Sequence, residues 1–290
     1  MDFSDFKRRS KSNLDELSKK IQESSGSKDS YKDDRFWRPE LDKSSNGYAV
    51  IRFLPAPPNE ELPWAKLYSH AFQGKGGWYI ENSRTTLGEK DPLSEMNSEL
   101  WNSGLDSDKD IARARKRKLQ YISNILVISD PANPQNEGKV FLYKYGKKIF
   151  DKIQEAMEPE FADEEKINPF DFWAGANFKL KVRKVAGFIN YDKSEFDSLS
   201  ELFSGDDTQL EELWKKQYPL KPFTDPSNFK SYDELKERLS TVIGDDIRFT
   251  DVVTNTVENV SMDQEESSTP TPEVSDETNA MDYFAKLSQE

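Results

Sequence analysis

The chain contains no cysteine and one histidine, His70. The missing thiols exclude disulfides, thiolate metal ligands and cysteine nucleophiles. A lone imidazole leaves no histidine cluster for a metal. There is no glycine-rich phosphate loop ending in Lys-Ser/Thr and no dinucleotide fingerprint; Gly74-Lys75-Gly76-Gly77 is short and reads as a turn. No apolar run approaches the roughly 20 residues of a membrane helix. The N-terminal Met1-Asp2-Phe3-Ser4-Asp5-Phe6 has no signal-peptide apolar region. Hydrophobic residues make up only 34% of the 290, below the usual globular share, so part of the chain is expected to stay unfolded. These absences point to a soluble intracellular protein with few enzymatic options.

What the chain does have is charge, 33% of its residues, unevenly placed. Residues 201–290 carry 21 acidic and 8 basic side chains, which accounts for the whole formal net charge of −13. Residues 1–200 are balanced, with 33 of each sign. Inside that balanced part, Arg113 to Lys152 holds ten basic and three acidic residues. Its cations are Arg113, Arg115, Lys116, Arg117 and Lys118, then Lys144, Lys147 and Lys148 among others. Tyr121, Tyr143 and Tyr145 are interleaved with them. Lys and Arg neutralise phosphates without reading sequence. Aromatic rings stack bases for about 1–3 kcal/mol each, which needs the exposed base faces of a single strand. Phe188 and Tyr191 extend the set of candidate rings. Tyr143 and Tyr145 share a strand face with Phe141, so core and stacking roles both stay open for them.

Periodicity organises the chain as α+β, mainly β. Residues 1–31 form a basic arm with Lys7, Arg8, Arg9, Ser10 and Lys11, followed by Leu14, Leu17 and Ile21 at helical spacing. A body spans residues 32–250. Strands are expected at 48–54, 64–72, 78–81, 124–128, 139–145 and 176–185, with a further edge near 187–191. Helices are expected at 93–101, 147–157, 206–217 and 232–243. Residues 64–110 read as an inserted small subdomain. Residues 251–290 read as an acidic disordered tail, since their composition cannot bury enough apolar surface to offset chain entropy. Met281, Phe284 and Leu287 at helical spacing near its end suggest a short recognition helix, with Asp282, Tyr283, Phe284 and Leu287 contacting partner proteins.

Several motifs recur in one order: Gly47-Tyr48-Ala49-Val50-Ile51-Arg52-Phe53-Leu54-Pro55, Gly77-Trp78-Tyr79-Ile80-Glu81, Asn136-Glu137-Gly138-Lys139-Val140-Phe141, Gly146-Lys147-Lys148-Ile149-Phe150-Asp151 and Gly187-Phe188-Ile189-Asn190-Tyr191-Asp192. Over roughly residues 6–240 the chain resembles the helix-destabilising single-stranded-DNA-binding proteins of T-even-type bacteriophages. The resemblance implies an OB-fold core with a DNA cleft and no enzymatic activity. It implies cooperative self-association through the basic arm, and recruitment of replication and recombination proteins by the acidic tail. It also implies a role in viral replication, recombination and repair, in the cytoplasm of the infected host. Phe6-Lys7-Arg8-Arg9-Ser10 resembles the family's arm motif, and Arg115-Lys116-Arg117-Lys118 a second copy in which Leu119-Gln120 replaces hydroxyl residues. By position Trp101, Tyr121, Tyr143, Phe188 and Tyr191 match cleft aromatics, and Ile122 replaces one. Arg52 joins the expected DNA contacts.

The family's structural zinc is held by one His and three Cys. Here His70 is retained, but Ser83, Asp91 and Ser94 stand at the apparent cysteine positions, so loss of the zinc is expected and no other cofactor is implied. Two other readings stand beside this one. The first is a metal-dependent nuclease built on acidic clusters such as Asp163-Glu164-Glu165. The second is an acidic interaction scaffold.

Overall fold

A computed structural model describes residues 33–161 and 165–244. The arm residues Lys7, Arg8, Arg9, Ser10 and Lys11 and the tail residues Asp282, Tyr283, Phe284 and Leu287 lie outside the described residues, as do most of the arm and all of the tail. Of the described residues, 33–36 belong to one unit and the remainder to another. In the first, Arg35 pairs with Asp33 at 2.7 Å. The two-residue β1 (Phe36–Trp37) marks the boundary.

The strands of the larger unit are β2 (Gly47–Phe53), β3 (Ala65–Gly74), β4 (Gly77–Asn82), β5 (Lys118–Ser129), β6 (Val140–Gly146), β7 (Ala176–Val185), β8 (Phe188–Asn190) and β9 (Glu195–Leu199). Its helices are α1 (Pro92–Asn102), α2 (Asp106–Ala114), α3 (Lys147–Met157), α4 (Asp207–Lys215) and α5 (Tyr232–Ile243). The sheet runs β6-β5-β2-β7-β8, with β3 on β5, β4 on β3 and β9 on β7. Every pairing among them is antiparallel. β5 organises the rest. Its first half pairs with β3, from Lys118↔Ser69 to Ile122↔Ala65. Its second half pairs with β2, including Ile125↔Phe53 and Val127↔Ile51. Its other edge pairs with β6, from Gln120↔Gly146 to Leu126↔Val140.

Side chains alternate across a strand, and the register gathers the alternate residues into one core. Ala49, Ile51 and Phe53 of β2 meet Ile125 and Val127 of β5 and Phe178, Leu180 and Val182 of β7. Ile149 and Ile153 of α3 close over them. A second core lies between the β3–β4 hairpin, α1 and α5, built on Phe72, Tyr79, Leu93, Met96, Leu235, Leu239 and Val242. The hairpin meets α5 backbone to backbone. A Cβ at Gly76 would run into the Thr241 carbonyl, and one at Gly74 into that of Val242. The β3–β4 hairpin and α1 therefore pack on a helix far along the chain.

Arg52 does not stand on a DNA-contacting surface as expected. It points away from the main core and is fully buried. Its guanidinium donates to the carbonyls of Asp171 at 3.0 Å and Ser200 at 2.8 Å, and to Asn177 and Ser200 side chains. Burial pulls its pKa down to about 10, partly offset by Asp171, so it stays charged at neutral pH. It ties β2 to the segments flanking β7 and has no face left for a phosphate. Arg52→Leu would leave two buried carbonyls unpaired, each at about 1–3 kcal/mol. Urea unfolding is expected to show a loss of at least about 2 kcal/mol; an unchanged midpoint would contradict the structural role.

Candidate nucleic-acid interface

The pairing of β5 with β6 sets the interface. Because Gln120 lies opposite Gly146, the basic run ending at Lys118 comes beside Lys147 and Lys148 at the start of α3. Lys116, Arg117, Lys147 and Lys148 are exposed, while Arg115, Lys118 and Lys144 are half-buried. The start of α3 is itself built for an anion. Its N-cap is Gly146, no side chain caps it, and its first turn has no acidic residue. The other α-helices carry acidic residues in their first turns. A helix N-terminus presents free N–H groups and partial positive charge, and two lysines there raise the potential further. Lys147 is held by Asp151 at 2.9 Å.

The hairpin of β7 and β8 approaches from the far side. Lys152 of α3 donates to the Asp192 carbonyl at 3.3 Å, and Tyr191 packs on the main core. Phe188 and Tyr191 are half-buried there, with Arg183 half-buried and Lys184 exposed. The expected Trp101 is 43% exposed. Arg113 lies over its ring at 5.3 Å and also pairs with Asp110 at 2.6 Å.

The expected stacking tyrosines of β5 and β6 are core instead. Tyr121, Tyr143 and Tyr145 are 6%, 3% and 2% exposed. The Phe150 ring covers Tyr121 at 3.8 Å, nearly parallel. Tyr143 meets Trp37 edge-on. The Tyr145 hydroxyl is satisfied by Ser123 at 2.9 Å, and burial pushes its pKa far up. Strand alternation put these rings on one face, and α3 then covered that face. Ile122 is fully buried on the opposite face. Two surface residues were missed: Lys66, exposed, and Tyr68, half-buried, both on β3. Their signal was the alternation of Ala65 and Leu67, inward, with Lys66 and Tyr68, outward.

A family model described as "gp32 DNA binding protein like" matches residues 45–243. The chain belongs to this family. The single-stranded DNA-binding protein of Enterobacteria phage T2 is 41% identical over 247 residues, 82% of this chain and 80% of that protein. That of Enterobacteria phage T4 is 40% identical over 246 residues, 82% and 79% respectively. A third, from Enterobacteria phage RB70, is 37% identical over 118 residues, 40% of this chain and 98% of its own.

In this gp32-like chain the four residues that the resemblance sets at zinc-ligand positions, His70, Ser83, Asp91 and Ser94, do not make a zinc donor set. His70 and Asp91 are buried side by side, His70 Nε2 to Asp91 Oδ1 at 3.2 Å, with Ser94 Oγ at 3.5 Å. Asp91 also caps α1 through Ser94 N and accepts from Arg84 N. Ser83 is bonded to Thr85. With no thiolate among them, two neutral hydroxyls and a carboxylate already committed to backbone N–H groups hold zinc poorly. The polar cluster instead anchors the basic run. The Arg115 carbonyl faces His70 Nδ1 at 3.4 Å and accepts from Asn97 at 3.0 Å. Its guanidinium lies over the Phe72 ring at 5.3 Å.

Burial opposes the charge on Asp91, but the His70 hydrogen bond and charge and the two backbone N–H groups overcome it, lowering its pKa to about 2. A folded pKa below the unfolded 3.8 means the unfolded chain takes up the proton first as pH falls. The stabilisation is therefore present above about pH 4 and disappears as pH drops through about 2. The stability gap between wild type and Asp91→Asn is expected to be widest near neutrality. It should narrow by about 2 kcal/mol by pH 2 in denaturant titrations. A gap independent of pH would mean the carboxylate is not held in this way.

Proposed function

We propose that this protein binds single-stranded DNA without regard to sequence and performs no catalysis. The observation that carries the reading is the juxtaposition of the β5 entry with the uncapped, lysine-bearing start of α3. Backbone phosphates lie along Lys116, Arg117, Lys118, Lys147 and Lys148, with Arg113, Arg115 and Lys144 behind them. Bases stack on the half-buried Phe188 and Tyr191 and on the exposed Trp101. The names of the relatives, each a single-stranded DNA-binding protein, support the ligand. The antiparallel sheet bent around one long central strand supports an OB-fold core.

The finer roles accord with the family. Cooperative self-association runs through the arm at Lys7, Arg8, Arg9, Ser10 and Lys11. The acidic tail, residues 251–290, recruits replication and recombination proteins through Asp282, Tyr283, Phe284 and Leu287, and covers the cationic surface until polynucleotide displaces it. The setting is viral DNA replication, recombination and repair in the host cytoplasm. Residues 64–110 are held without zinc by the His70–Asp91–Ser94 cluster. Elemental analysis of purified protein is expected to find no stoichiometric zinc, and the thermal midpoint should not move with chelator.

Titration of a fluorescein-labelled oligothymidylate at several salt concentrations tests the main reading. Affinity should fall steeply with salt, each neutralised phosphate contributing about 0.7 to the log–log slope. Lys147→Gln with Lys148→Gln should weaken binding and flatten the slope. Deleting residues 258–290, which removes nine acidic groups and one basic, should strengthen duplex melting. Salt-independent or absent binding would overturn the reading.

A further inference from the structure

Tyr68 stands apart from the other tyrosines near the basic run. It sits on the middle of β3 opposite Leu119 of β5. Paired residues of an antiparallel ladder share a face, and diagonal neighbours on that face stay within reach of long side chains. The diagonal neighbours of Tyr68 are Tyr121 on β5 and Arg117, which immediately precedes that strand. The contacts agree. The Arg117 guanidinium lies 4.2 Å from the centre of the Tyr68 ring, and the Lys66 ammonium 5.4 Å from it. Tyr121 beneath is held above its usual pKa by burial first, and then by Tyr68 and Asp151. Tyr121 gives its own ring face to Phe150. Tyr68 is therefore the outermost ring of this group, and it is half-buried rather than covered.

The charges around it are the second observation. Many surface cations of this protein are matched locally, as in Lys147–Asp151, Arg113–Asp110, Lys179–Asp197 and Lys181–Glu195. Lys66 and Arg117 form no ion pair among the described residues; each has an aromatic ring as its partner. A cation on a ring face keeps its full charge for a phosphate, and a guanidinium plane stacked on a ring offers its outer face to a base. Both requirements of single-strand recognition, phosphate neutralisation and stacking, are thus met by two side chains of β3 and one at the entry to β5.

We propose that Lys66, Tyr68 and Arg117 form a nucleotide subsite. One base stacks on the Tyr68–Arg117 pair, and the adjoining phosphates are neutralised by Arg117 and Lys66. This subsite rests on the reading of the protein as a single-strand binder and adds a stacking platform on β3 that the sequence pattern did not reveal. It also gives this chain a half-buried ring beside a strand whose own tyrosine is buried.

The test uses the full chain and labelled oligothymidylate, with Tyr68→Phe, Tyr68→Leu, Arg117→Gln and Lys66→Gln. Tyr68→Phe should bind within about twofold of wild type, since the ring is kept. Tyr68→Leu keeps apolar cover on the strand but removes the ring. It should weaken binding by roughly 5- to 100-fold, the range of one lost stack, with the salt slope unchanged. Arg117→Gln and Lys66→Gln should each lower the slope by about 0.7. An oligomer of abasic sugar-phosphate should bind wild type and Tyr68→Leu alike. Far-ultraviolet circular dichroism separates misfolding from lost contact, and the two exposed cation variants remain informative if Tyr68→Leu does not fold. If wild type binds with steep salt dependence while Tyr68→Leu binds as tightly as Tyr68→Phe, the subsite is wrong and the single-strand reading stands. If wild type itself does not bind, both fall.

Discussion

The larger unit depends on β5 making three sets of backbone hydrogen bonds at once. Its first residues pair with β3 and its later ones with β2 along one edge, and β6 runs along the other. A strand that changes partner midway must bend, and its register then fixes everything attached to it. A slip of one residue would turn every side chain to the wrong face. Tyr121 and Ile125 would leave the main core, and Arg117 would move away from Tyr68. The same register puts Gly146 opposite Gln120, so α3 must begin where the basic run ends. The cationic surface is thus a consequence of how the sheet closes its core.

The buried aromatics give that surface a stiff backing. Trp64 touches Phe150 and Phe170, Phe170 touches Phe53, Phe53 touches Tyr145, Tyr145 stacks near Tyr121, and Tyr121 stacks on Phe150. The circuit closes on itself through β2, β5, β6 and α3. Rings in such offset and edge-on contacts resist rotation more than aliphatic side chains of the same volume. Binding groups held on rigid elements lose less freedom when a ligand arrives. At the other end of the basic run, the Arg115 carbonyl is fixed by Asn97 and His70. The His70–Asp91–Ser94 cluster therefore couples the β3–β4 hairpin and α1 to the start of β5.

Much of this was legible in the amino-acid sequence. The cores of β2 and β7, the strand β6, and the helices α3 and α5 follow from periodicity, and the basic run and the lysines of α3 were read as one surface. The misses have physical causes. The helix α2 begins without a side-chain cap at Leu105 and is almost wholly polar, so neither a cap nor an apolar stripe announces it. β9 is a largely exposed edge whose alternation is weak. The first residues of β5 are Lys118, Leu119 and Gln120, which carry no apolar run. Alternation assigned Tyr121, Tyr143 and Tyr145 to a face correctly but could not say that α3 covers it, because depth is set by distant residues. Arg52 obeyed the same logic: its alternate position on β2 identified a face, and only the arrival of Asp171 and Ser200 made that face an interior.

A chain with a balanced body can still gather cations locally, and here they gather along the entry to β5 and the start of α3. Its first 200 residues hold equal numbers of each charge, and much of the surface is tied into local pairs of small individual worth. Among the described residues, Lys66 and Arg117 form no ion pair, and each lies over an aromatic ring instead. At the start of α3 the acidic residues that would favour a helix N-terminus are missing, and lysines stand there against the helix dipole at some cost to folding. An anion bound at that point would remove the penalty, so the arrangement is more stable with a phosphate than without one. The first turn of α3, with two lysines and no acidic residue, is thus where the fold itself most favours an anion.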